Sequence, residues 1–330
     1  MLYIDAFNHI LPKKYQAVLE QKVPNRDMSS NLSRYAETVP TLLDLDARFR
    51  LMDSVEGYMQ VLTLAAPTVE SVASPEVAVD LCRFANDEMA ELVEKYPDRF
   101  AAAIAALPLN DLDASLKEID RAIRDLRLRG IQMYSDVNGM PLDAEALYPI
   151  YEKMERYNLP ILIHPKRSPA LPDYPGEENS RYRASSMAMF RLVYGGVMER
   201  FPNLKIVTHH CGGVIPYLAG RMEWNDDFNE MRMGHKDILF PHKPLEYFRR
   251  MYYDTANNGY PAGLRCGMDF AGIGKLVFAT DLPFCNQKGL RLIRDSIAAV
   301  DALDLAPGDR RKVFQSNAVD LFRLPLSTFV

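Results

Sequence analysis

The chain has 330 residues and a formal net charge of −5, with 48% hydrophobic and 25% charged residues, ordinary values for a globular protein. That mildly acidic balance gives no electrostatic footprint for nucleic acid or an anionic membrane. Cys82, Cys211, Cys266 and Cys285 include no close pair, which argues against a disulfide framework or a cysteine zinc site.

The first strand is read over residues 3–11, where alternation puts Asp5, Phe7 and His9 on one face. It follows the N-terminus at once, with no basic segment and no long apolar run, so the expected setting is cytoplasmic, without a membrane span. Residues 13–40 read as a loop with a short helix, an insertion over the mouth of the fold, and 41–54 as a helix. A strand is expected at 59–64, a long helix at 75–96 and a strand at 101–107. Leu116, Ile119, Ile123 and Leu126 recur at helical spacing within 113–128. A strand at 130–133, a helix at 143–157 and a strand at 160–164 follow. The arginine- and proline-rich stretch 165–183 is too polar for core and reads as an active-site loop. Then come a helix (184–199), a strand (204–209), and a polar, methionine-rich helical region (214–250) suited to a partner surface. Strands at 251–255 and 275–280 flank a helix at 261–271, and helices at 288–302 and 307–320 end the chain. Eight strands alternating with helices imply a parallel sheet. Eight units close into an α/β fold, a (β/α)8 TIM barrel, here one domain over 1–330 with helical and loop insertions at its C-terminal face. A doubly wound sheet competes, but its Gly-x-Gly-x-x-Gly after the first strand is absent.

Four strand ends finish on polar side chains: His9, His164, the pair His209-His210, and Asp281. Such residues on different barrel strands converge at one rim and can share a divalent metal. His9, His164 and Asp281 are the best constellation, since imidazole and carboxylate suit zinc, manganese or iron. Taken singly, each histidine reads as a hydrogen-bonded structural residue, and Asp281 as a helix N-cap. His209 and His210 are adjacent and are expected to point to opposite faces, so one reaches the mouth as a general acid/base. Gly212 and Gly213 permit a tight turn there. Arg48, Arg50, Lys166, Arg167, Arg181, Arg183 and Arg221 are candidates for an acidic substrate, most of them being surface charges. The methionines read as adaptable core filling, and Asp5 as a polar residue of the barrel core.

Further motifs accompany these strand ends. They are Gly130-Ile131-Gln132 with Asn138-Gly139-Met140-Pro141-Leu142-Asp143, Leu159-Pro160 before His164-Pro165, and His210-Cys211-Gly212-Gly213 with Gly220-Arg221-Met222. Tyr253-Asp254-Thr255 and Thr280-Asp281-Leu282-Pro283-Phe284 complete the set. Through them the chain resembles, nearly end to end, the amidohydrolase-2 family of aminocarboxymuconate-semialdehyde decarboxylase and its relatives. The resemblance implies a metal-dependent (β/α)8 barrel, often a homodimer, whose members are mostly nonoxidative decarboxylases with some hydratases and hydrolases. It implies His9, His164 and Asp281 as ligands of a divalent ion, zinc first and manganese second. It implies His210 as the catalytic histidine and Arg48 and Arg221 as binders of substrate carboxylates. The family's first-strand His-x-His reads Phe7-Asn8-His9 here, so Phe7, which cannot bind a metal, replaces one ligand. The expected activity is that of a lyase removing carbon dioxide from a small aromatic or dienoic carboxylic acid. His210 or Asp281 would deliver the proton, and Phe7 would form an apolar wall for the substrate. The alternatives are a metal-dependent hydrolase or hydratase, with Asp281 taking the proton of water, and a metal-free barrel that only binds a ligand.

Overall fold

The computed structural model describes residues 1–23, 34, 37–166, 179–233 and 241–325. Eight parallel strands follow one another: β1 (Tyr3–Ile10), β2 (Tyr58–Leu64), β3 (Phe100–Ala103), β4 (Ile131–Tyr134), β5 (Ile161–His164), β6 (Ile206–Thr208), β7 (Tyr252–Asp254) and β8 (Leu276–Val277). Bridges from Ala105 to Ile131 and from Asn8 to Leu282 join the two arcs of this sheet. The Ala6 N–H donates to the Phe278 carbonyl (2.8 Å) and the His9 N–H to the Leu282 carbonyl (2.7 Å). The sheet is thereby closed on itself, and the chain is a (β/α)8 barrel.

The strands are short apolar runs buried on both faces, as a parallel sheet requires. Phe7, Val61, Ala102, Ile104, Leu162, Val207, Val277 and Ala279 fill the lumen. The helix Asn317–Phe322 adds Ala318 and Phe322 to that cluster. Asn317 Nδ2 donates to the carbonyls of Ile273 (2.8 Å) and Leu276 (2.7 Å), which fixes this helix at the N-terminal end of β8. Leu62, Met133, Ile161 and Ile206 instead face outward and pack on helical residues such as Leu81, Ile119 and Met154. Burying one such side chain is worth about 1.5–3 kcal/mol. The helix Leu112–Arg124 starts where the Asp111 carboxylate accepts the Ala114 N–H (2.9 Å), a cap worth about 1 kcal/mol.

One strand departs from strict alternation. Asp5 pairs with Gln60, but Asn8 pairs with Leu62, so β1 carries one more residue than β2 over this stretch. Such a bulge reverses which face the later side chains take. Ala6 and Phe7 both join the lumen, while Asp5 lies with Tyr58 and Gln60 in the outer layer. The expectation that Asp5 shares a face with His9 is therefore corrected.

Several boundaries also differ. The helix expected at 184–199 begins at Asn179 and is broken, as Asn179–Tyr194 and Val197–Arg200; residues 167–178 of the expected active-site loop lie outside the described residues. The helix Lys13–Lys22 lies against Pro75–Lys95, with Lys14 Nζ 2.6 Å from Glu91. The region 214–250 contains Ile215–Met233 and Pro244–Arg250. A hairpin not anticipated from sequence pairs Asp136–Val137 with Met140–Pro141. Asn138 and Gly139 at its tip both have positive φ, the conformation an Asn-Gly tight turn demands. Among the described residues, no helix is long and apolar enough to cross a membrane.

Candidate active site

His9 leaves the end of β1, His164 ends β5, and Asp281 follows β8, all at the C-terminal rim. His9 Nε2 lies 3.0 Å from Asp281 Oδ1, and His164 Nε2 lies 3.7 Å from the same oxygen. The three ligand atoms fall within 4.8 Å of one another. Two ligands each about 2.0–2.2 Å from one ion stand roughly 3–4 Å apart, so the set fits a first-row divalent cation.

The protonation states fit as well. Burial pushes the His164 imidazole down to about 3, which keeps it neutral. Removal from water would raise the Asp281 carboxyl, but the imidazoles of His164, His210 and His9 hold it well below the carboxylate range. Metal ligation needs this combination of neutral imidazole and ionised carboxylate. Asp281 has a φ of 57°, a left-handed backbone that costs a non-glycine residue roughly 1–3 kcal/mol. Neighbours hold it there: its N–H donates to the Phe7 carbonyl (3.1 Å). The preceding Thr280 donates its N–H (3.0 Å) and hydroxyl (2.6 Å) to Asp5. Asp281 is thus not the start of a helix.

His210 approaches from β6, with Nε2 3.5 Å from Asp281 Oδ2. His209 also turns inward, its ring 3.9 Å from Phe7 and 5.3 Å from His164, centre to centre. The two histidines therefore do not take opposite faces. The extended chain ends at Thr208, and His210 and Cys211 adopt φ near +55°, which swings both rings to the lumen side. Gly212 completes this turn, because a Cβ there would meet the Tyr253 ring at 2.3 Å. His209 Nδ1 lies 2.7 Å from Asp254 Oδ2. The other Asp254 oxygen accepts the N–H groups of Cys211 (2.9 Å) and Ala256 (3.2 Å). Asp254 was not singled out as a site residue in the sequence. Its position at the end of β7, in the same register as the other polar strand ends, was the available signal.

Three expected substrate contacts sit elsewhere. Phe7 is fully buried among the rings of His9 (4.9 Å), His164 (5.4 Å) and His209, beneath the cluster rather than on an open wall. Arg48, on Leu45–Met52, is fully buried on the outer side of β1 and β2. It donates to the Thr41 carbonyl (3.0 Å), Asn8 Oδ1 (3.1 Å), Gln60 Oε1 (2.7 Å) and the His9 carbonyl. It faces the back of the ligand strand, not the mouth. Arg221 is exposed, with its guanidinium 4.7 Å from the Trp224 ring. Arg50 and Arg183 are exposed, and Lys166 Nζ lies 3.4 Å from Asp136. Arg167 and the side chain of Arg181 lie outside the described residues.

A parallel barrel with His9, His164 and Asp281 converging at its C-terminal rim has the arrangement on which divalent-metal enzyme sites are built. Residues 4–324 match the family described as Amidohydrolase, and the chain belongs to that family. It is 29% identical to the 2-amino-3-carboxymuconate-6-semialdehyde decarboxylase of Dictyostelium discoideum, over 86% of this chain and 82% of that protein. It is 29% identical to the gamma-resorcylate decarboxylase of Rhodococcus jostii, over 86% of this chain and 89% of that protein. A crystal structure of dihydroxybenzoic acid decarboxylase from Polaromonas, with bound manganese and the inhibitor 2-nitroresorcinol, superposes with a TM-score of 0.78. That structure is 25% identical and covers 99% of both chains.

Proposed function

We propose that this protein is a metal-dependent carboxy-lyase that removes carbon dioxide, without oxidation, from a small aromatic or dienoic carboxylic acid. The convergence of His9, His164, Asp281 and His210 on one carboxylate at the barrel mouth carries this reading. The decarboxylase relatives support it. His9, His164 and Asp281 would hold the ion, zinc in the first instance and manganese as the alternative. The ion would supply Lewis-acid attraction for the substrate carboxylate and an adjacent oxygen.

The rest falls to the chain's own residues. His210, whose Nε2 is close to Asp281 Oδ2, delivers a proton to the carbon bearing the carboxylate. That carbon loses conjugation. The bond to the carboxylate then breaks, carbon dioxide departs, and the electron pair left behind restores the conjugated system. Asp281 orients His210 and stabilises its charged form, and water returns the proton after product leaves. His209, held by Asp254, and Phe7 shape the floor beneath. Arg48 acts by holding β1 rather than by touching substrate.

The second copy in a homodimer would cover the helix Ile215–Met233. That helix exposes Tyr217, Trp224, Phe228 and Met231, an apolar set rare on a free surface. It also carries Arg221. Gel filtration with light scattering should give twice the chain mass, and a monomer would remove the dimer from the account. The proposed setting is the cytoplasm, where the four free cysteines stay reduced.

The activity is tested by carbon dioxide release from a panel of hydroxybenzoic and muconate-type acids by metal-loaded protein. Release with at least one acid is expected. A panel that stays intact, or gains water with its carboxylate retained, would overturn the lyase reading in favour of a binding barrel or a hydratase.

A further inference from the structure

The face opposite the metal ligands gathers cations. Arg129 stands two residues before β4, Lys205 immediately before β6 and Lys275 immediately before β8, so all three sit at the N-terminal end of the barrel. Arg323 joins them there, directly after the helix Asn317–Phe322 that Asn317 anchors at the foot of β8. Arg323 is exposed and the other three are half-buried. Among the described residues, none of the four forms an ion pair. Their head groups rest on neutral partners instead. Arg323 donates to the Tyr157 carbonyl (3.2 Å) and Lys205 Nζ to the adjacent Asn158 carbonyl (3.2 Å), which brings these two cations side by side before β5. Lys275 Nζ lies 4.2 Å from the centre of the Tyr252 ring, at the start of β7.

The barrel fixes the roots of these side chains. The Arg129 N–H donates to the Ala103 carbonyl (2.9 Å), and the Lys205 carbonyl accepts the Ile161 N–H (2.9 Å). Along the sheet, β4, β6 and β8 stand two strands apart, about 10 Å, a gap that arginine and lysine side chains bridge. Like charges oppose one another across it. Removal from water lowers the Arg129 guanidinium, and Arg323 and Arg127 lower it further. Burial and then Arg323 lower the Lys205 ammonium, with Asp320 opposing them. Burial, Lys205 and Arg250 lower Lys275. Asp320 is the one carboxylate among these influences. An anion of several charges would relieve all four cations together, and the guanidinium fork and the ammonium both match phosphate oxygens. The net charge of −5 opposes a long polyanion, which would extend over an acidic molecule, so the fitting ligand is compact.

We propose that this patch at the foot of the barrel binds a triphosphate chain, free or carried by a nucleotide. The site is remote from the metal ligands and does not depend on the decarboxylase reading. The test is calorimetry at low salt on metal-loaded full-length protein, with tripolyphosphate, ATP and adenosine each supplied with equimolar magnesium. Both phosphates should bind, one per chain, and adenosine should not. Tighter binding of ATP than of tripolyphosphate assigns the site to a nucleotide, and equal or weaker binding assigns it to the free chain. Lys205→Gln and Arg323→Gln should each weaken binding roughly 10-fold, the loss of one charge-assisted hydrogen bond. Asp320→Asn should tighten it several-fold, a gain that misfolding cannot produce. Metal content and carbon dioxide release should stay unchanged in all three variants. Absence of binding by both phosphates, affinities that survive both glutamine variants, or no gain in Asp320→Asn would overturn the proposal. Adenosine binding as well as ATP would do the same. So would a single-stranded RNA held more tightly than tripolyphosphate through the same residues, which would make the patch a nucleic-acid surface.

Discussion

Phe7 stands among three imidazoles, with its ring 4.9 Å from His9 and 3.9 Å from His209. It is close enough that a histidine at this position would share the lumen with His9. Phe7→His should tighten metal binding in a chelator competition, because an imidazole replaces a side chain that cannot ligate. It should also slow turnover, since the new ring alters the packing of His164 and His209. Unchanged metal affinity would show that residue 7 does not reach the ion. His210 and His209 differ in what surrounds them. His209 is almost wholly buried and tied to Asp254, whereas His210 meets Asp281. His210→Asn should keep the metal and the fold while lowering turnover by roughly 10²–10⁴-fold. His209→Asn should act mainly on stability, because it removes the partner of a buried carboxylate. Thermal melts and steady-state kinetics on both variants separate these roles, and the reverse pattern would place the acid/base on His209.

At the scale of elements, β1 is held from behind by a chain of buried polar groups. Arg48 bonds Gln60 and the His9 carbonyl, Gln60 Nε2 reaches the Tyr58 hydroxyl (3.5 Å), and that hydroxyl donates to Asp5. Asp5 in turn accepts from Thr280, so the network ends beside Asp281. Arg48→Met should cost about 3–5 kcal/mol in urea denaturation, because one partner of a buried charged network disappears. Metal affinity should fall as well, since His9 loses its support. Burial pushes the Asp5 carboxyl up to about 7 from 3.8, against the hydrogen bonds from Thr280 and Tyr58. The folded state therefore binds more protons than the unfolded state between those values, and stability declines as pH rises through that window. Asp5→Asn should remove this decline. Urea midpoints at pH 5 and pH 8 in both proteins check it, and parallel slopes would contradict it. The bulge that makes this arrangement was not legible in the sequence. Asp5, Phe7 and His9 alternate perfectly in one dimension, and only pairing with β2 shows the extra residue. The hairpin turn at Asn138-Gly139, by contrast, carries a legible sequence signal, since Asn-Gly favours positive φ at both positions.

For the whole molecule, all eight strands were legible, because each is a compact apolar run between helices of clear period. The convergence of His9, His164 and Asp281 was legible for the same reason, since polar residues that close apolar strands mark the rim of a barrel. Asp254 was not, because its role depends on which strand ends become neighbours after closure. Nor was the position of Arg48 behind β1, which depends on how its helix packs. An ion held by His9, His164 and Asp281 would tie distant parts of the barrel together, and a ligand bound only by the folded state stabilises it. Chelation should lower the melting temperature, and His164→Ala should bind less metal by mass spectrometry than the wild type. Equal metal in both proteins would remove His164 from the centre.

The central claim joins the metal centre to proton delivery at the carbon that loses its carboxylate. The most direct measurement is turnover of the best acid of the panel in deuterium oxide, with product read by nuclear magnetic resonance. The account requires one deuterium at the carbon that held the carboxylate, formed with metal-loaded protein and lost on chelation. A product that keeps its carboxylate, or decarboxylation undiminished after chelation, would contradict it.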